Sequence, residues 1–109
     1  MSSTNGGIPI TLTGVSGKQY PFGAYPRTSS WNSVAGVYVI LRDTAGGTVL
    51  YVGETEDLKQ RLSNHHRQAC FDRNNWTHLA FLGEGSETQR LQIERDLMDK
   101  YQPVCNRQV

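Results

Sequence analysis

From Val34 onward the chain alternates short apolar runs with clusters of turn-forming residues. Val37-Tyr38-Val39-Ile40-Leu41 is apolar, aromatic and β-branched without interruption, which predicts a buried strand. Asp43 to Gly47 closes on a Gly46-Gly47 pair, and Thr48-Val49-Leu50-Tyr51-Val52 returns as a second strand that stops at Gly53. The two form an antiparallel hairpin. Simple alternation puts Tyr38 on a face with Ile40 and Tyr51 on a face with Val49, and the hairpin sets the two phenols side by side. The spacing then becomes helical. Thr55 serves as N-cap with Glu56 and Asp57 in the first turn, and the helix runs to about Ala69 or Cys70. One side carries Leu58, Leu62, His65 and Ala69, with Arg61 at its margin and four residues before His65. A third strand, Trp76 to Leu82, ends at Gly83. Ser86 and Gln89 have capping-box spacing and open a last helix that ends near Tyr101, because Pro103 cannot continue it.

Before this region, Ile10-Thr11-Leu12-Thr13 and Gln19-Tyr20-Pro21-Phe22 read as a short hairpin, with Pro21 confining its second arm to an edge. Tyr20, Phe22, Tyr25 and Trp31 read as packing over the sheet, with base stacking the alternative. The expected organisation is an extension over residues 1–33, tail, hairpin and loop, followed by a core domain over 34–109. The order β-β-α-β-α predicts an α+β fold: a small antiparallel three-stranded sheet flanked by helices.

A length of 109 residues allows one domain. No apolar run reaches the roughly 20 residues of a membrane-spanning helix, and the first residues carry neither a basic leader nor a long apolar stretch. Two cysteines, Cys70 and Cys105, make no disulfide framework. They are expected to be free thiols in a reducing, cytoplasmic setting. His66, Cys70, His78 and Cys105 lack the paired spacing of a zinc site. The net charge of +1 argues against non-specific polyanion binding over the whole surface. Locally, however, residues 1–42 hold cations and no acid, and 58–83 hold Lys59, Arg61, Arg67 and Arg73 against Asp72 alone. That leaves room for a basic face toward a phosphate backbone.

Three features stand out as candidate chemistry. On a helical wheel Glu94 falls inside the arc of Leu91, Ile93, Leu97, Met98 and Tyr101. A carboxylate there needs a cation, donors or a raised pKa, so either a neighbouring arginine pairs with it or the arc ends at the protein surface, with a divalent metal the alternative. The Tyr38 and Tyr51 pair is packing, or a phenol driven below its usual pKa by a neighbouring Arg and His. His65 is a hydrogen-bonded core histidine or a member of the same site.

Taken in order, these residues resemble the GIY-YIG endonuclease family. Gly36-Val37-Tyr38 stands for the first tripeptide and Tyr51-Val52-Gly53 for the second, with twelve residues between the tyrosines. Arg61 falls at the family's helix arginine, His65 at a position that is His or Tyr in many members, Glu94 at the metal-binding glutamate and Asn106 at the closing asparagine. Valine replaces isoleucine in both tripeptides, and Glu54 follows Tyr-Val-Gly where some DNA-repair members, such as the excinuclease C subunit, carry lysine.

The resemblance implies a metal-dependent endonuclease that hydrolyses DNA phosphodiester bonds to 5′-phosphate and 3′-hydroxyl ends. It assigns Glu94 to one divalent cation, magnesium or in its place manganese. Tyr38 would be the general base, Tyr51 and His65 would position the water or help deprotonate it, Arg61 would neutralise phosphoryl charge, and Asn106 would bond near metal and substrate. Gly53, Lys59, Arg61 and Arg67 are the expected DNA contacts. A homodimer or a partner DNA-targeting protein would allow double-strand cutting. The alternative is a catalytically silent nucleic-acid-binding module of the same fold.

Overall fold

The computed structural model describes residues 7–107. Five strands, β1 (Ile8–Thr13), β2 (Gln19–Pro26), β3 (Gly36–Arg42), β4 (Thr48–Thr55) and β5 (His78–Gly83), form one sheet in the order β1-β2-β5-β3-β4. All its pairings are antiparallel. The sheet therefore has five strands, not three. The N-terminal hairpin completes it because Gly23–Pro26 of β2 pair with His78–Phe81 of β5. β2 is thus an interior strand and not an edge, and Pro21 is accommodated in the half that pairs with β1 alone.

Three helices cover the sheet: α1 (Leu58–Ser63), α2 (Gln68–Arg73) and α3 (Glu87–Tyr101), followed by a 3-10 turn over Val104–Asn106. Ile93 and Leu97 of α3 pack with Tyr20, Phe22, Val37, Val39 and Val52 on one face. Leu58 of α1 and Phe71 of α2 pack with Tyr38, Ile40, Tyr51 and Leu79 on the other. Leu91, at one end of the expected arc, is 47% exposed, so the buried stripe of α3 is Arg90, Ile93 and Leu97. Ser86 caps α3 as expected, its hydroxyl accepting from the Gln89 N–H at 3.3 Å.

The expected single helix after the hairpin is instead two six-residue helices. Thr55 belongs to the end of β4, where its hydroxyl accepts from the Asp57 N–H at 3.0 Å. The N-cap is Asp57, accepting from Gln60 N–H at 3.1 Å. Asn64 leaves helical geometry at φ −155°, which turns His65 inward from a loop and not from a helical face. The register of β3 with β4 shifts between Ile40 and Leu41, so Ile40 faces Tyr51 while Leu41 faces Val49. That bulge puts Tyr51 and Val49 on opposite faces of the sheet and delivers Tyr51 to the side of Tyr38.

Cys70 on α2 and Cys105 in the 3-10 turn form a disulfide. The expectation of free thiols fails because folding brings together two residues 35 apart in sequence, a proximity that spacing alone does not reveal.

Candidate active site

Tyr38 is in β3, which is flanked by β4 and β5, and is 0% exposed. Its ring lies across β4 at Gly53, its register partner, where a Cβ would come within 2.6 Å of the ring. The second glycine of the motif is thus a seat for the first tyrosine. The Tyr38 hydroxyl and His65 Nε2 are 2.7 Å apart. His65 Nδ1 accepts the Arg67 backbone N–H at 2.9 Å. A neutral imidazole with Nδ1 occupied as acceptor carries its proton on Nε2, so His65 donates to the phenol oxygen. Burial, then the charges of His66, Arg61 and Arg67, lower the His65 pKa to about 4 and keep the ring neutral at pH 7. The Tyr51 ring stands edge-on to His65 at 5.0 Å and tilted to Tyr38 at 5.9 Å.

The expectation that Arg61 and His65 drive a phenol below its usual pKa is reversed in this state of the protein. Burial pushes Tyr38 well above the ordinary tyrosine range, Tyr51 adds to the rise, and Arg61 opposes it without overcoming it. Tyr51 is also raised, first by burial. A guanidinium that is itself in water screens poorly into a site from which the phenolate has lost its hydration.

The free edge of β4 organises the remaining groups. At Val52 the Asn106 side chain replaces a neighbouring strand: its Oδ1 accepts the Val52 N–H at 2.8 Å and its Nδ2 donates to the Val52 carbonyl at 2.9 Å. Two residues on, at Glu54, Arg61 Nη1 donates to the backbone carbonyl at 3.3 Å. The Glu94 carboxylate lies near the same residue, the Glu54 backbone N–H favouring its charge and the Glu54 carboxylate opposing it. Tyr38 and Tyr51 thus approach from the α1/α2 face and Glu94 from the α3 face, and they meet at this edge, where Arg61 acts electrostatically on both Glu94 and Tyr51. Lys59 is exposed on α1. Arg67 Nε is, among the described residues, the one buried side-chain polar atom without a hydrogen-bond partner. A hollow of about 630 Å³ is lined by Lys18, Tyr20, Leu91, Arg95, Asp96 and Asp99 and by none of these groups.

Glu94 is half-buried, and its pKa is raised, first by burial and then by the charge of Glu54. A single hard carboxylate with an unmet need for positive charge fits a magnesium-like cation, which keeps several waters and takes one or two protein oxygens. Among the described residues no three His, Cys, Asp or Glu side chains gather as a metal cage.

Absent from the expectations is Arg90, 4% exposed, whose Nε pairs with Glu54 Oε1 at 2.8 Å. Its Nη1 donates to the carbonyls of Glu84 at 3.2 Å and Gly85 at 2.9 Å. The helical wheel held the signal: with Leu91 at the origin Arg90 falls at about 260°, inside the apolar arc and one turn from Glu94.

A small α+β domain that joins two phenols, an imidazole, a guanidinium and the Glu94 carboxylate at one sheet edge has the makings of a phosphoryl-transfer catalyst. The GIY-YIG catalytic domain model matches residues 34–108, and the chain belongs to that family of endonucleases. A 68-residue stretch, 57% of the chain, is 37% identical to the UvrABC system protein C of Klebsiella pneumoniae (strain 342). The same identity and coverage hold for the UvrABC system protein C of Salmonella paratyphi B and of Salmonella enteritidis PT4. The match takes in 11% of each relative's length, so the chain spans about a tenth of the curated relatives it matches.

Proposed function

We propose that this chain hydrolyses DNA phosphodiester bonds, using one divalent cation, magnesium or manganese, held by Glu94. The observation that carries the reading is the meeting of the Tyr38–His65 pair, Arg61 and Glu94 at the free edge of β4. When bound, the cation polarises the scissile phosphate and stabilises the departing oxygen.

The protein's own residues do the rest. Tyr38, as phenolate, takes a proton from the attacking water, while His65 keeps its Nε2–H on the phenol oxygen and stabilises the charge there. The water oxygen bonds to phosphorus, the bond to the 3′ oxygen breaks, and that oxygen takes a proton from solvent, leaving 5′-phosphate and 3′-hydroxyl ends. Tyr38 is covered in this conformation, and Arg61 is the exposed cation near it. Arg61 then neutralises the charge that develops on the phosphoryl oxygens. Lys59, exposed on α1, and Arg67, half-buried before α2, hold flanking phosphates. Gly53 acts by seating Tyr38, and Asn106 by fixing the strand edge.

Supercoiled plasmid incubated with the protein and magnesium tests the proposal. Nicked or linear product with 5′-phosphate ends is expected, falling at least about a hundredfold in Glu94→Ala. Cleavage undiminished in that variant contradicts it; salt-sensitive binding without cleavage under any metal would instead favour the silent module.

A further inference from the structure

Resting on that reading, we propose that Glu54, with Arg90 as its buried counter-charge, is the positioning residue that sets Arg61 and Glu94 against each other. Two hydrogen bonds meet on this one residue beside the carboxylate of Glu94. Its carbonyl receives Arg61 and its own carboxylate is tied to Arg90, while its backbone and charge both act on Glu94. Only the Arg90 bond depends on the side chain, and it determines where the backbone groups point.

Arg90 has no freedom of its own. It is 4% exposed, and its Nη1 donates to the carbonyls of Glu84 and Gly85 in the loop between β5 and α3. The pair therefore locks the end of β4 to the first turns of the helix that bears Glu94. Without it, Glu54 keeps strand pairing on one side only, since β4 is an edge strand, and the bond of exposed Arg61 to its carbonyl. The pairing also settles a question of charge. Two carboxylates stand near one another at this edge, and Arg90 neutralises the one that is not offered to the cation. Lysine in place of Glu54 would face a buried arginine.

Glu54→Ala, Glu54→Gln and Arg90→Gln in the full chain separate positioning from mere stability. Plasmid cleavage gives kcat and KM, manganese binding is read by electron paramagnetic resonance, and exchange of the Arg61 guanidinium protons is followed by NMR. Glu54→Ala is expected to lower kcat about tenfold to a hundredfold with KM for DNA little changed. It also weakens manganese binding and speeds Arg61 exchange. Glu54→Gln, whose amide oxygen still accepts from Arg90, recovers most of each loss. Arg90→Gln lowers kcat as Glu54→Ala does, yet tightens manganese binding, because a carboxylate beside Glu94 has lost its partner. Unchanged Arg61 exchange in Glu54→Ala and Arg90→Gln overturns the proposal. So does manganese binding weakened as far in Glu54→Gln as in Glu94→Gln, which would make Glu54 a ligand. If the unaltered protein neither cleaves nor binds manganese while Arg61 still responds to both substitutions, the nuclease reading fails and the positioning stands.

Discussion

His65 shows how one backbone hydrogen bond decides a side chain's chemistry. The Arg67 N–H on Nδ1 fixes the tautomer, and the tautomer makes His65 a donor to Tyr38 and not the group that deprotonates it. Two measurements follow at this scale. Unfolded, the imidazole takes a proton near pH 6.5; folded, it does so only at about 4. Between those values the unfolded chain binds more protons, so stability falls as the pH is lowered from 7 and the loss is complete near pH 4. Thermal melts from pH 7 to pH 4 should show a loss of about 1–3 kcal/mol that His65→Gln removes. The raised pKa of Tyr38 predicts that log kcat/KM climbs with pH through the alkaline range. A plateau above about pH 7 would assign the base to a group with an ordinary histidine pKa. Gly53→Ala forces a Cβ to within 2.6 Å of a ring that has nowhere to go. It should cost about 1–3 kcal/mol in chemical denaturation and most of the activity.

The elements were legible in the sequence to different degrees. The buried strand β3, the cap and length of α3 and the ordered set of site residues could be read, because apolar runs, capping spacing and motif order are local signals. Three things could not. The bulge after Ile40 leaves no mark in composition, yet it reverses the face of Tyr51. The break at Asn64 falls in a stretch whose periodicity suits one continuous helix. The pairing of β2 with β5 is non-local, and only the folded sheet shows it. The N-terminal hairpin is tied to α3 through Asp96, whose carboxylate accepts from the Ser16 N–H at 3.0 Å, the Ser16 hydroxyl at 2.7 Å and the Tyr20 hydroxyl at 2.7 Å. These bonds hold its pKa below the usual range. Asp96→Ala should release the hairpin selectively: hydrogen exchange of β1 and β2 amides speeds up while β3 and β4 stay protected. Equal acceleration in all strands would show that the hairpin and the core open as one unit.

For the molecule as a whole, the disulfide joins α2 to the turn that carries Asn106, and so links the covering of one face to the free edge of β4. Closing a loop over a separation of 35 residues should contribute about 3–4 kcal/mol, read as a lower urea midpoint in reductant. The central claim is that one cation sits at that edge, on Glu94 and beside Glu54. Manganese added to isotopically labelled protein tests it directly, because the ion broadens NMR signals of the residues nearest to it. The account predicts that the amides of Gly53, Glu54 and Glu94 broaden first and that Glu94→Gln abolishes the effect. Broadening centred on Asp96 and Asp99 at the outer side of α3, or unaltered by Glu94→Gln, would contradict it.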